Sequence, residues 1–161
     1  SRKPLVVAFE INGEILYLIN NHFNSKGGDS PLFGDEQPPV LESEVQRLLQ
    51  AQVVHDFVAE MLAIDPDANI VVMGDLNDFQ FSAPVLLLQG ELLTNLVNTL
   101  PEDERYSYIY DGNSQILDQM LVSQNLLEKL VEYDILHLNS EFDYQNRFSD
   151  HDPALAVFDL N

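Results

Sequence analysis

The stretch spanning residues 40–64 constrains this chain more than any other. Leu41, Val45, Leu49, Val53, Phe57 and Met61 recur every fourth residue, with Leu48, Val54, Val58 and Leu62 widening the row. That is the spacing of an apolar stripe on a helix. Pro66 stops the pattern, since proline lacks the amide a helix interior needs. Residues 69–73 (NIVVM) follow and are almost wholly apolar, as buried central strands are. A long helix feeding a buried strand is an α/β element. Around it the patterning turns to strands. Residues 5–11 and 14–20 flank Asn12-Gly13, and residues 106–110 and 115–123 flank Asp111-Gly112, both hairpin signals. Residues 84–88 and 92–100 read as short helices, 125–130 as one or two helical turns, and 131–138 and 153–160 as strands. Gly and Pro make residues 21–39 a long loop. No repeat or linker divides the 161 residues. The expected architecture is one α/β (α+β) domain with a mixed, largely antiparallel sheet and flanking helices.

Charge narrows the partners. The chain has 27 acidic and 7 basic residues, a net charge of −20, and the bases are scattered. A protein that holds a duplex needs a stripe of Lys and Arg to displace counterions, so the balance argues against tight duplex binding. Such acidity suits a soluble surface, and it also suits carboxylates gathered around divalent cations. There is no cysteine, which removes disulfides, thiolate metal sites and thiol nucleophiles. No apolar run reaches the ~20 residues that span a bilayer, so no membrane partner is expected, and no charged-then-apolar leader opens the chain.

Polar residues cluster at strand ends. Asn20-Asn21-His22 closes the second strand-like run, Gly74-Asp75-Leu76-Asn77-Asp78 follows the buried strand, and Ser149-Asp150-His151-Asp152-Pro153 precedes the last strand. Asp118 sits inside the apolar run Ile116-Leu117-Asp118-Gln119-Met120, an expensive place for a carboxylate unless it is paired or faces a cleft. Taken singly, each reads equally well as turn, cap or surface chemistry. His55 and His137 fit no motif and read as structural.

The order Gly-Asp-Leu-Asn, then an Asp within a strand, then Ser-Asp-His-Asp-Pro, resembles the C-terminal half of the endonuclease/exonuclease/phosphatase family. Asn20 to Lys26, Arg47 to Ala51, Val71 to Asp78 and Leu117 to Ser123 look closest to its secreted bacterial nucleases. The resemblance implies half of a four-layer α/β-sandwich and metal-dependent hydrolysis of phosphodiester or phosphomonoester bonds, with nucleic acid or a small phosphate ester as substrate. It implies Mg2+ or Mn2+, with Ca2+ as an alternative, ligated by Asp150 with Asp75 and Asn77. Asp75 would orient or deprotonate the water, or hold a second metal. Asn77 would hydrogen-bond the phosphate or that metal. His151 would contact the phosphoryl oxygens with Asp118 on its other ring nitrogen, and His22 would be a second phosphate contact or general acid. Lys26 and Arg47 would touch substrate, and Asp78 and Asp152 would support their neighbours. An extracellular or periplasmic setting is implied as well.

Full family domains are about twice this length, and their first half carries an Asn and the principal metal-binding Glu. Neither has a counterpart here. Three expectations follow: weak metal binding, a sheet face that needs covering by a homodimer or by a missing N-terminal half, and, as the alternative function, a non-catalytic binding or assembly module on the same fold.

Overall fold

The computed structural model describes residues 2–31 and 33–161. Strands β1 (Leu5–Ile11) and β2 (Glu14–His22) form an antiparallel hairpin with Ile11 opposite Glu14. Asn12 and Gly13 hold φ of 53° and 86°, the left-handed pair that a two-residue hairpin turn requires. Helix α1 (Glu44–Ile64) then carries the chain to β3 (Asn69–Asp75), which lies parallel to β2. Next come α2 (Ala83–Gln89), β4 (Leu93–Asn95), the hairpin of β5 (Tyr108–Tyr110) and β6 (Asn113–Gln115), β7 (Asp118–Ser123), α3 (Gln124–Leu127), β8 (Leu130–Ile135) and β9 (Ala154–Phe158). Five strands make the main sheet in the order β1-β2-β3-β7-β4, while β5–β6 and β8–β9 are separate antiparallel pairs. The sheet is mixed and mostly antiparallel with flanking helices, as the patterning predicts.

Alternation along the strands sorts the core into two layers. Ile19, Ile70, Val72 and Leu121 pack against Val54 and Val58 of α1 and Val85 and Leu88 of α2. Val71 and Val122 face the other way, against Leu96, Val97, Leu126, Tyr133 and Ile135, beneath the β8–β9 pair. That pair leaves β1 uncovered. Leu5, Phe9 and Ile11, opposite Asn20, Leu16 and Glu14 across the hairpin, stay 60%, 46% and 39% exposed.

Three expected elements differ. The every-fourth-residue row on α1 is not the buried face: Val45, Leu49 and Val53 are exposed, and Arg47, Ala51, Val54 and Val58 are buried. A strict period of four runs ahead of the 3.6-residue turn and winds off the interface. The buried positions instead follow the i, i+3, i+4 sequence that keeps one face, anchored by a buried arginine. Residues 92–100 are not a helix. They form β4 against β7 and then a 3-10 turn, Leu96–Thr99, whose start is capped by Asn95 accepting from the Val97 amide. Residues 115–123 are not one strand, because the buried pair Ile116 and Leu117 separates β6 from β7.

Candidate active site

Sheet order builds the site. Strands β2 and β3 are parallel, so their C-terminal ends meet at one edge; β7 is antiparallel to β3, so its N-terminus arrives at the same edge. The register places His22 beside Asp75 and Asp75 beside Asp118. Three adjacent strands thus present three polar side chains in a row. His151, at the foot of β9, joins them through an isolated antiparallel bridge between its backbone and that of Tyr108.

The contacts are short. His151 Nδ1 lies 2.6 Å from Asp118 Oδ2, and the Ser107 hydroxyl donates to the same oxygen at 2.6 Å. His22 Nε2 is 3.5 Å from Asp75 Oδ2. One ligand atom from each of Asp75, Asp118 and His151 lies within 4.8 Å of the others. The bond to Asp118 pushes the His151 pKa above the ordinary histidine value, against the opposing effect of burial. Burial, and then the charge of Asp118, push the Asp75 pKa up. The Asn77 amide, His151 and His22 act in the opposite direction.

The Gly-Asp-Leu-Asn turn is shaped to hold it. Gly74 takes φ of +124°, and a Cβ there would meet the Asn21 carbonyl oxygen at 2.1 Å, so glycine is required. Asn77 adopts φ of 51°. Its amide donates to Asp75 Oδ1 at 2.8 Å and its side chain to the Phe23 carbonyl at 3.2 Å.

The remaining expected residues divide. Lys26 borders the same cleft as Asn77 and His151, with its ammonium 2.7 Å from Asp78 and 4.6 Å from the centre of the Phe79 ring. Arg47 does not reach substrate space. It is fully buried, its Nε donates to Asp78 Oδ2 at 2.8 Å, and its Nη1 donates to Ser43 Oγ at 2.5 Å. Its Nη2 stands 3.6 Å from Asp29, an ion pair too long for a hydrogen bond. The physical reason is Asp78: burial works to raise its pKa, yet Lys26 and Arg47 together draw it below the usual value. Asp150 is exposed, and its charge helps raise the His151 pKa, but it is not a member of the close trio Asp75, Asp118 and His151. Asp152 is a buried clamp. It accepts from the amides of Asn139 and Ser140 at 2.7 and 2.9 Å and from the Ser140 hydroxyl, and it pairs with His137 at 3.2 Å. His137 is structural, stacked on Tyr106 with ring centres 3.9 Å apart. His55 lies 3.2 Å from the Leu88 carbonyl and braces α1 against α2.

Ser107 and Tyr108 carry no functional signal in the sequence. Both lie in an ordinary strand-like run, and nothing local marks a serine that will meet Asp118, eleven positions on.

Oxygen donors at the Asp75 end fit a hard divalent cation, and such an ion would offset the repulsion between Asp75 and Asp118. Asp118 Oδ2 is already engaged by His151 and Ser107. Asp75, Asp118 and His151 still keep ligand atoms close enough to share an ion.

Solved structures carry the same fold. Truncated TDP2 of Caenorhabditis elegans superposes with a TM-score of 0.68 at 20% identity, covering 96% of this chain and 58% of that one. TDP2 of D. rerio complexed with single strand DNA product gives 0.66 at 18% identity, covering 97% and 61%. An AP endonuclease from Archaeoglobus fulgidus gives 0.63 at 14% identity, covering 96% and 65%. The chain therefore spans roughly three-fifths of the length of these structures. No curated protein matches it in sequence. The family model described as Endonuclease/Exonuclease/phosphatase family matches residues 1–152, and the chain belongs to that family.

Proposed function

We propose that this chain supplies the phosphate-binding and proton-handling half of a divalent-metal-dependent phosphodiesterase. The observation that carries the reading is the row at one sheet edge: Asp75, Asp118 and His151 with ligand atoms within 4.8 Å of one another. Hydrolysis of a phosphodiester needs charge neutralisation, an oriented water and protonation of the leaving oxygen. Held by Asp118, His151 remains protonated to higher pH than a free histidine, so its Nε2–H can donate to a phosphoryl oxygen. Asp75 is positioned to accept a proton from water, and a raised pKa suits that role. His22 gives a second donor beside Asp75, and Asn77 and Lys26 line the adjoining cleft. The cation, held by Asp75 and Asp150 with Asn77, would neutralise phosphate charge and lower the pKa of a bound water.

The substrate class favoured is a nucleic-acid phosphodiester. Family membership supports it, as does a fold neighbour solved with a single strand DNA product. The net charge of −20 favours a short or single-stranded substrate over a duplex. The test is turnover of a chromogenic phosphodiester with Mn2+, compared with His151→Ala and Asp75→Ala. General acid–base groups contribute about 10²–10⁴-fold. Each variant should therefore lose at least about 100-fold, and equal rates in all three proteins would refute the reading.

The exposed face of Leu5, Phe9 and Ile11, in a chain spanning 58% of a fold neighbour, supports a further reading. This surface is covered in the working protein by a second copy or by another segment.

A further inference from the structure

The β5–β6 hairpin has no part in the chemistry above, yet it stands against the His151 imidazole. The rings of Tyr108 and His151 lie 4.7 Å apart, tilted by 34°. Two residues along β5, on the same face of the strand, Tyr110 lies 6.3 Å from Tyr108 with ring planes within 13°. Three rings therefore run in a row away from the Asp118–His151 pair. Asp111 and Gly112 hold φ of 49° and 76°, a tight turn that fixes the row at the hairpin tip. The row lines a cleft of about 680 Å³ together with Lys26, Asn77 and Gln115, a volume in the range of small-molecule sites. Tyr110, the outermost ring, is 56% exposed.

An exposed tyrosine by itself is ordinary surface. Here it is the open end of a stack whose inner end touches the proposed phosphate-binding histidine. The cations explain why stacking carries a share of the affinity. Arg47 is buried, Lys26 is paired with Asp78, Lys129 with Glu14, and the Arg105 guanidinium is hydrogen-bonded to the Leu100 carbonyl. The other three bases, Arg2, Lys3 and Arg147, are few, and Arg147 acts on Tyr108 itself, so counterion release adds only modestly to binding. Aromatic rings add affinity without charge, because every base offers a π-face. In a duplex those faces are already covered by neighbouring bases.

We propose that Tyr108 and Tyr110 form a stacking subsite for an unpaired nucleobase belonging to the strand whose phosphate meets His151. The inference rests on the hydrolase reading for the place of the phosphate.

The test is binding of a short single-stranded oligonucleotide containing 2-aminopurine, in EDTA so that no metal-dependent turnover occurs. The wild-type chain should quench the probe. One base–aromatic stack is worth a factor of about five to a hundred in affinity. Tyr110→Ala should weaken binding by that factor, and Tyr110→Phe, which keeps the ring, should stay within about twofold. An oligonucleotide of equal length with abasic sites should bind the wild type as weakly as the intact probe binds Tyr110→Ala. Circular dichroism confirms that both variants are folded. Four results would each overturn the subsite: absence of binding and quenching, equal affinity for intact and abasic strands, equal losses in the Ala and Phe variants, or preference for duplex. Stacking without turnover of the chromogenic phosphodiester would instead leave this subsite standing and remove the hydrolase reading.

Discussion

Replacing Arg47 with alanine separates a buried strut from a substrate contact. The guanidinium has no exposed surface and makes four contacts: Asp78 at 2.8 Å, Ser43 at 2.5 Å, the Asn24 carbonyl at 3.3 Å and Asp29 at 3.6 Å. Its removal strands Asp78, which is itself buried, with Lys26 as the remaining cation. Breaking a buried ion pair from one side costs about 3–5 kcal/mol. The surviving Lys26 contact places the expectation at the lower end, ~3 kcal/mol. For a domain of this size each kcal/mol moves the melting temperature by about 2–4 °C, so a fall of roughly 6–12 °C is expected for Arg47→Ala. Arg47→Lys keeps the charge but loses the fork to Asp78 and Ser43, and should fall in between. The double variant Arg47→Met, Asp78→Leu should recover part of the loss, because it removes the buried Asp78 carboxylate, although Asp29 and Lys26 each lose an ion-pair partner. Differential scanning calorimetry at neutral pH reads all four proteins. A melting temperature within about 1 °C of wild type for Arg47→Ala, coupled with a raised KM, would refute the strut and restore Arg47 as a substrate contact.

Asp118→Asn removes the charge that raises the His151 pKa. The basic limb of the rate profile should therefore move to lower pH. Stability follows the same sign: a histidine pKa raised in the fold contributes stability that is fully present below the unfolded value of about 6.5 and is lost as pH rises through the folded value. In EDTA the wild type should lose stability across that window and Asp118→Asn should lose less, while parallel curves would contradict the pairing. Sedimentation should report a species larger than one chain, since Leu5, Phe9 and Ile11 form an uncovered apolar face; a stable monomer that binds no apolar dye would contradict this.

The parts legible in the sequence were those set by local chemistry. Asn12-Gly13 and Asp111-Gly112 fixed two hairpins because few other pairs tolerate positive φ at both positions. The apolar run before Gly74 marks the central strand, and the motif order singles out His22, Asp75, Asp118 and His151, which the fold gathers at one sheet edge. What stayed hidden depends on contacts distant in sequence. Arg47 looks like a surface base until Asp78, 31 residues away, draws it inward. The α1 row of Val45, Leu49 and Val53 looks like a core stripe until the neighbouring residues claim the interface. Ser107 and Tyr108 acquire meaning only through Asp118 and His151.

The account stands on a cation and a protonated imidazole meeting at the edge formed by β2, β3 and β7. The chain contains four histidines, so Mn2+ titration followed by imidazole proton signals measures this directly. The account predicts selective broadening of His151 and His22 at low Mn2+, with His55 and His137 sharp, and loss of that selectivity in Asp75→Asn. Uniform broadening of all four rings, or selective broadening of His55 or His137, would contradict it.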